Sequence, residues 1–134
     1  KAASYSLSLL FGFVIVFIDW FFQNYFRLNN VGIANAGVSF GFASGFGEFW
    51  KYSLLAFLVL LFVFLVWSKT KLNVYLVSLL IGGLGNMVPR LLYGNVWDYI
   101  FLKPLGLWFN ISDVLILVSV LSYILITDES SYSF

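Results

Sequence analysis

Between residues 52 and 67 the chain reads YSLLAFLVLLFVFLVW, a run without a charge, a glycine or a proline. In water such a run would need a core around its whole circumference. In a bilayer it needs only its own helical hydrogen bonds. A helix that crosses the hydrocarbon layer takes about 20 mainly apolar residues, and about 17 is the lower bound. Three further stretches, 7–22, 72–88 and 110–127, approach that length, and with its flank the run quoted above becomes 49–67. Charged residues make up 10% of the 134 and hydrophobic ones 62%, whereas ordinary soluble domains carry about 25% charge. The expectation is a mainly helical membrane protein, one integral-membrane domain over 1–134 with four spans.

The first stretch follows Lys1 and invites comparison with a cleaved signal peptide. It runs on through Phe21 and Phe22 with no small-residue cleavage site, so a retained helix is expected. There is no initiator Met, which leaves the true amino end open. With four spans both termini share a side. Lys69 and Lys71 flank the tightest link, which favours placing the termini inside, although Arg27, Lys51, Arg90 and Lys103 lie on the other side.

The chain has no histidine and no cysteine. It therefore has no Ser-His-Asp triad, no cysteine nucleophile and none of the usual zinc sites. The net charge of +1 leaves no footprint for nucleic acid. For acid–base chemistry near neutral pH only carboxylates remain, and a close pair of them is the one hydrolytic device this composition permits.

Two outer segments separate the spans, 23–48 and 89–109. The first, with NNVGIANAGVSFGFASGFGEF, alternates side chains between glycine turns and is expected to form short twisted strands on the membrane surface. The second, RLLYGNVWDYIFLKPLGLWF, is too apolar for a solvated loop. Tyr93, Trp97, Tyr99 and Trp108 in it suit the headgroup layer.

Six polar residues stand where burial is expensive. Asp113 follows Asn110 by three and opens an apolar helix, which fits plain capping by Asn110 with an acid in the first turn. Capping does not explain Asp98, set among aromatics with no helix to cap, which needs a partner or a proton. Arg90 is a natural counter-ion for a buried carboxylate, or else a headgroup snorkel. It lies four residues after Asn86, on the same helical face if the helix continues, but Pro89 between them predicts a break near Val88. Gly82, Gly83 and Gly85 read as points of close helix approach. Asp19, near the outer end of the first span, is a tether between helices or a third carboxylate of one site.

Taken together, Asn35-Ala36-Gly37-Val38-Ser39-Phe40-Gly41, Gly82-Gly83-Leu84-Gly85-Asn86, Gly94-Asn95-Val96-Trp97-Asp98-Tyr99-Ile100 and Phe109-Asn110-Ile111-Ser112-Asp113 resemble signal peptidase II. That family comprises the lipoprotein signal peptidases, aspartyl proteases of the bacterial inner membrane. The resemblance runs from Asp19 to the end of the fourth span. It implies four transmembrane helices, a small extracytoplasmic β-cradle and a second outer element. It also implies Asp98 and Asp113 as catalytic residues, with Asp19, Asn35, Gly37, Asn86, Arg90 and Asn110 binding substrate or supporting the site. By the same resemblance the protein needs no cofactor or metal and acts as a monomer among membrane lipids. It would cut a prolipoprotein just before its diacylglyceryl-cysteine, at the extracytoplasmic face.

In two places the chain departs from the family pattern. Asp-Gln-x-x-Lys in the first helix becomes Asp19-Trp20-Phe21-Phe22-Gln23, and Pro89 replaces an aspartate before Arg90. Within the dyad, Asp113 at a helix N-terminus is the expected ionised member and Asp98 among aromatics the protonated one. Non-catalytic readings remain beside this one: a membrane scaffold, a lipid-binding or transporter-type protein, or an inactive homologue of the peptidase.

Overall fold

The structure, a computed structural model, describes residues 2–37, 48–68 and 74–131. Four helices carry the fold: α1 (Ala2–Leu28), α2 (Glu48–Trp67), α3 (Val74–Tyr93) and α4 (Ile111–Ser131). Between them lie four short strands, β1 (Ile33–Asn35), β2 (Val96–Asp98), β3 (Ile100–Leu102) and β4 (Leu107–Phe109). Helices α1, α2 and α3 are each long and apolar enough to cross a membrane, and the apolar part of α4 is the shorter stretch Ile111–Thr127.

Burial is inverted relative to a soluble protein. Large apolar side chains such as Phe21 and Trp67 stand 67% and 85% exposed, while Asp19, Asp98, Asn110, Asp113 and Arg90 are buried. In water this would be untenable, whereas in lipid it is the expected arrangement: apolar surface meets hydrocarbon and polar groups find partners inside. A small apolar core of Val16, Leu65, Val77 and Ile81 lies among α1, α2 and α3. Helix α3 is the hub, packed against α4, α1 and α2. Its glycines make this possible. A Cβ at Gly82 would press on Ile116 of α4 at 3.0 Å, and one at Gly83 would strike Leu58 of α2. The reading of these glycines as contact points therefore holds.

Helix α1 runs past the expected end at residue 22 and carries Gln23 and Arg27 as helical residues. At 1.5 Å per residue its 27 residues span about 40 Å, more than the thickness of the hydrocarbon layer. It stops in a Schellman motif: Asn30 turns left-handed (φ 54°), Val31 N–H donates to the Phe26 carbonyl at 3.0 Å, and Asn30 N–H donates to that of Arg27 at 3.2 Å.

Helix α3 does not break near Val88. It continues through Pro89 to Tyr93 and ends at left-handed Gly94 (φ 77°), whose N–H donates to the Arg90 carbonyl at 3.0 Å. The prediction from Pro89 fails because the bond it removes is replaced from outside the helix. The Gly85 carbonyl, which an N–H at position 89 would serve, accepts the Trp20 indole N–H of α1 at 2.8 Å.

The strands join the two outer segments. Antiparallel pairing sets Ile33 opposite Asp98 and Asn35 opposite Val96, so β1 from the first segment holds β2 from the second. The strand expectations beyond residue 37 lie outside the described residues. A second antiparallel pair, β3 with β4, places Ile100 opposite Phe109 and turns through the 3₁₀ segment Lys103–Leu105 to left-handed Gly106. Its tip shows Phe101, Leu102 and Leu105 to the surroundings. Gly32 (φ 105°) is required where α1 hands over to β1, since a Cβ there would collide with the Asp98 carbonyl oxygen.

Candidate active site

Asn110 is the pivot of the outer end. It caps α4 in a reciprocal box: its Oδ1 accepts the Asp113 N–H at 2.9 Å, and Asp113 Oδ2 accepts the Asn110 N–H at 3.1 Å. The capping reading of Asp113 is therefore correct as far as it goes. The Asn110 Nδ2 has a second task, donating to Asp98 Oδ1 at 2.9 Å. One asparagine thus serves both carboxyl groups.

From Asp98 and Asp113 the bonds continue into a closed circuit. Asp98 Oδ2 accepts from Asn35 Nδ2 at 2.9 Å, and Asn35 Oδ1 accepts the Gly37 N–H at 2.9 Å. The Gly37 carbonyl accepts from Arg90 Nη2. Arg90 Nη1 donates to the Asn86 carbonyl at 3.1 Å, and Asn86 Nδ2 donates to Asp113 Oδ1 at 2.7 Å. Strand pairing brings Asn35 and Asp98 to one place, α3 supplies Asn86 and Arg90 one turn apart, and the first turn of α4 supplies Asn110 and Asp113. Every member is buried. Such a network fixes side-chain positions because each unmade bond would strand a polar group away from water.

One of the two alternatives for Arg90 needs correction. It is buried rather than snorkelling, at 3% exposure. Its hydrogen bonds go to the carbonyls of Gly37 and Asn86, so it ties the β1 loop to α3, and its charge faces both Asp113 and Asp98 as their counter-ion.

Asp19 stands outside the circuit as a tether. Its carboxyl accepts from Gln23 Nε2 (2.8 Å), Tyr99 Oη (2.6 Å), the Ile111 N–H (3.1 Å) and Ser112 Oγ (2.5 Å), fastening α1 to the start of α4 and to the strand region. Sequence reasoning passed over three of these partners. Gln23 lies one helical turn after Asp19, and its Oε1 also accepts the Trp97 N–H at 3.3 Å, so an i,i+4 signal was present. Tyr99 and Ser112 gave no local signal. Trp97, expected in the headgroup layer, donates its indole N–H to the Val31 carbonyl at 2.7 Å.

The electrostatics follow the geometry. Burial, and then the charge of Asp113, push the Asp98 carboxyl up to about 7, against the pull of its bonds from Asn35 and Asn110 and of Arg90. Burial and the neighbouring Asp19 push the Tyr99 hydroxyl upward, which keeps it a donor to Asp19. Among the described residues no group of three or more acidic side chains is placed to hold a metal ion.

Fold and site together define a class: a helical membrane protein with two carboxyl groups held through one asparagine at the end of its bundle. The chain belongs to the signal peptidase II family, whose model, described as signal peptidase (SPase) II, matches residues 5–128. It is 35% identical over 94 residues to a lipoprotein signal peptidase of Campylobacter jejuni, covering 64% of this chain and 58% of that protein. To the lipoprotein signal peptidase of Rhodopseudomonas palustris it is 39% identical over 98 residues, covering 64% and 60%. That of Thermodesulfovibrio yellowstonii is 34% identical over 101 residues, covering 72% and 68%. The matched part is thus about 58% of the length of the Campylobacter relative. The fold is shared with a solved structure described as a bacterial membrane enzyme, at a TM-score of 0.79 and 23% identity over 95% of this chain and 90% of that one.

Proposed function

We propose that this chain is an aspartyl endopeptidase that removes the signal peptide from lipid-modified prolipoproteins, cutting before the diacylglyceryl-cysteine. The observation that carries this reading is Asn110, whose N–H and Nδ2 serve Asp113 and Asp98 at 3.1 and 2.9 Å. Two buried carboxyls held by one residue do not both ionise readily, so at working pH they share a proton. With the Asp98 group near 7, Asp98 holds that proton and Asp113 is the base. Asp113 takes a proton from a water as its oxygen attacks the scissile carbonyl carbon, and Asp98 gives its proton to the carbonyl oxygen. As the resulting diol collapses, one of its hydroxyls returns a proton to Asp98 while Asp113 gives its proton to the leaving nitrogen, and the C–N bond breaks. Water is consumed and the dyad ends with the one proton it began with. Asn86 Oδ1, buried and without a donor among the described residues, is available to a substrate N–H.

The setting supports a substrate that stays in the membrane. The exposed β3–β4 tip suits the headgroup layer, and the lipid-facing helices suit acyl chains. The protein works as a monomeric integral-membrane unit in the bacterial cytoplasmic membrane, with its site at the extracytoplasmic face and no cofactor. The test is cleavage of a lipidated prolipoprotein by the unmutated protein and by Asp98→Asn and Asp113→Asn. Each substitution lowers kcat by on the order of 10²- to 10⁴-fold, the usual contribution of a positioned acid or base. Undiminished cleavage by either variant rejects the dyad.

A further inference from the structure

Pro89 sits inside α3, four residues after Gly85, so the Gly85 carbonyl loses its usual helical donor. That carbonyl belongs to a buried residue wedged against α4 and α1. A Cβ at Gly85 would collide with Ser112 and come within 3.1 Å of Val16. The Trp20 indole reaches it from α1 and donates at 2.8 Å. Trp20 is itself held edge-on against Phe17, with ring centres 5.4 Å apart.

The turn that this bond completes carries two members of the circuit. Asn86, next to Gly85, donates to Asp113, and Arg90, next to Pro89, holds the carbonyls of Gly37 and Asn86. A shift of this turn moves the support of Asp113 and the β1 loop at once. We propose that Trp20 is a positioning residue: its indole N–H replaces the backbone donor that Pro89 removes, and so keeps the 85–90 turn in register with Asp113. The departures from the family pattern at positions 20 and 89 are then a linked pair. The inference rests on the peptidase reading for its functional half, and on the bond geometry for its structural half.

The test is a four-protein cycle: unmutated, Trp20→Phe, Pro89→Ala, and the double variant, each measured for kcat, KM and Tm. Phenylalanine keeps a ring against Phe17 but lacks the indole donor, and alanine at position 89 restores an N–H for Gly85; the packing lost with the smaller ring is common to both backgrounds and cancels in the cycle. Trp20→Phe alone is expected to lower kcat about 10-fold with KM unchanged, the scale of a sub-ångström misplacement of a reacting group, and to lower Tm. In the Pro89→Ala background the same change is expected to cost less than about 2-fold in kcat, well within what a lost neutral bond with a local replacement produces. Equal losses with and without Pro89 overturn the linkage, and so does an undiminished kcat for Trp20→Phe beside Pro89. Coupling in Tm with no cleavage by the unmutated protein overturns the catalytic half through failure of the peptidase reading rather than of the bond.

Discussion

Asp98 shows how a single residue acquires a role from its surroundings. Buried opposite Ile33 and flanked by aromatic neighbours, it keeps its proton up to about pH 7, where a free aspartate would have lost it. In its proposed role of general acid it must be protonated, so kcat/KM is expected to fall as pH rises through about 7. The bond from Asn35 favours the ionised form and so lowers this value. Asn35→Ala removes that pull, and its alkaline limb is expected to move to higher pH. A limb that stays in place or moves to lower pH contradicts the assignment of the acid to Asp98. At this scale composition was informative: with no histidine and no cysteine, the expensive carboxyls were the natural place to look. The partners of Arg90 were not legible, because a guanidinium can satisfy itself on any carbonyl that folding brings near, and Gly37 lies 53 residues away in the chain.

At the scale of elements, the junctions matter more than the helices. Helix α4 begins in a capping box whose acid also belongs to the proposed dyad, so cap and proposed site stand or fall together. Asn110→Ala removes both functions of that side chain. It is expected to cost about 1 kcal/mol of stability, as lost caps do, and to reduce cleavage far more than Tm; equal loss of cleavage by a capping-only substitution elsewhere would refute this. The handover from α1 to β1 depends on Gly32, and Gly32→Ala is expected to push β2 and Asp98 away and to impair both folding and cleavage. The strand character of residues 33–35 was legible from alternation. Its partner was not: β1 pairs with β2 across a whole pair of helices, and period-two patterning names no partner. Pro89 teaches the converse lesson, since a rule about local backbone gave way to a donor on another helix.

For the whole molecule, the arrangement is a bundle with its polar interior gathered toward one end. The absence of native cysteine makes the proposed orientation directly measurable. A cysteine placed at Leu105, on the exposed hairpin, is expected to react with a membrane-impermeant thiol reagent added from outside the cytoplasmic membrane. A cysteine at Ser68, beyond the far end of α2, is expected to stay protected until the membrane is opened. The reverse labelling would place the site on the cytoplasmic face.

The apolar runs by themselves determined that this chain lives in a bilayer and roughly where its helices lie, because transfer of a helix into hydrocarbon is set by the residues of that helix alone. They also marked Asp19, Asp98 and Asp113 as groups in need of partners, and the order of the motif blocks pointed to the family. Only the tertiary structure decided which partners those were: Asn110 for both Asp98 and Asp113, Gln23, Tyr99 and Ser112 for Asp19, and Trp20 for the carbonyl that Pro89 leaves open. The physical reason is the reach of the interaction. Solvation of a long apolar helix is a local sum, whereas a buried polar atom is satisfied by whichever donor the rest of the fold delivers within about 3 Å.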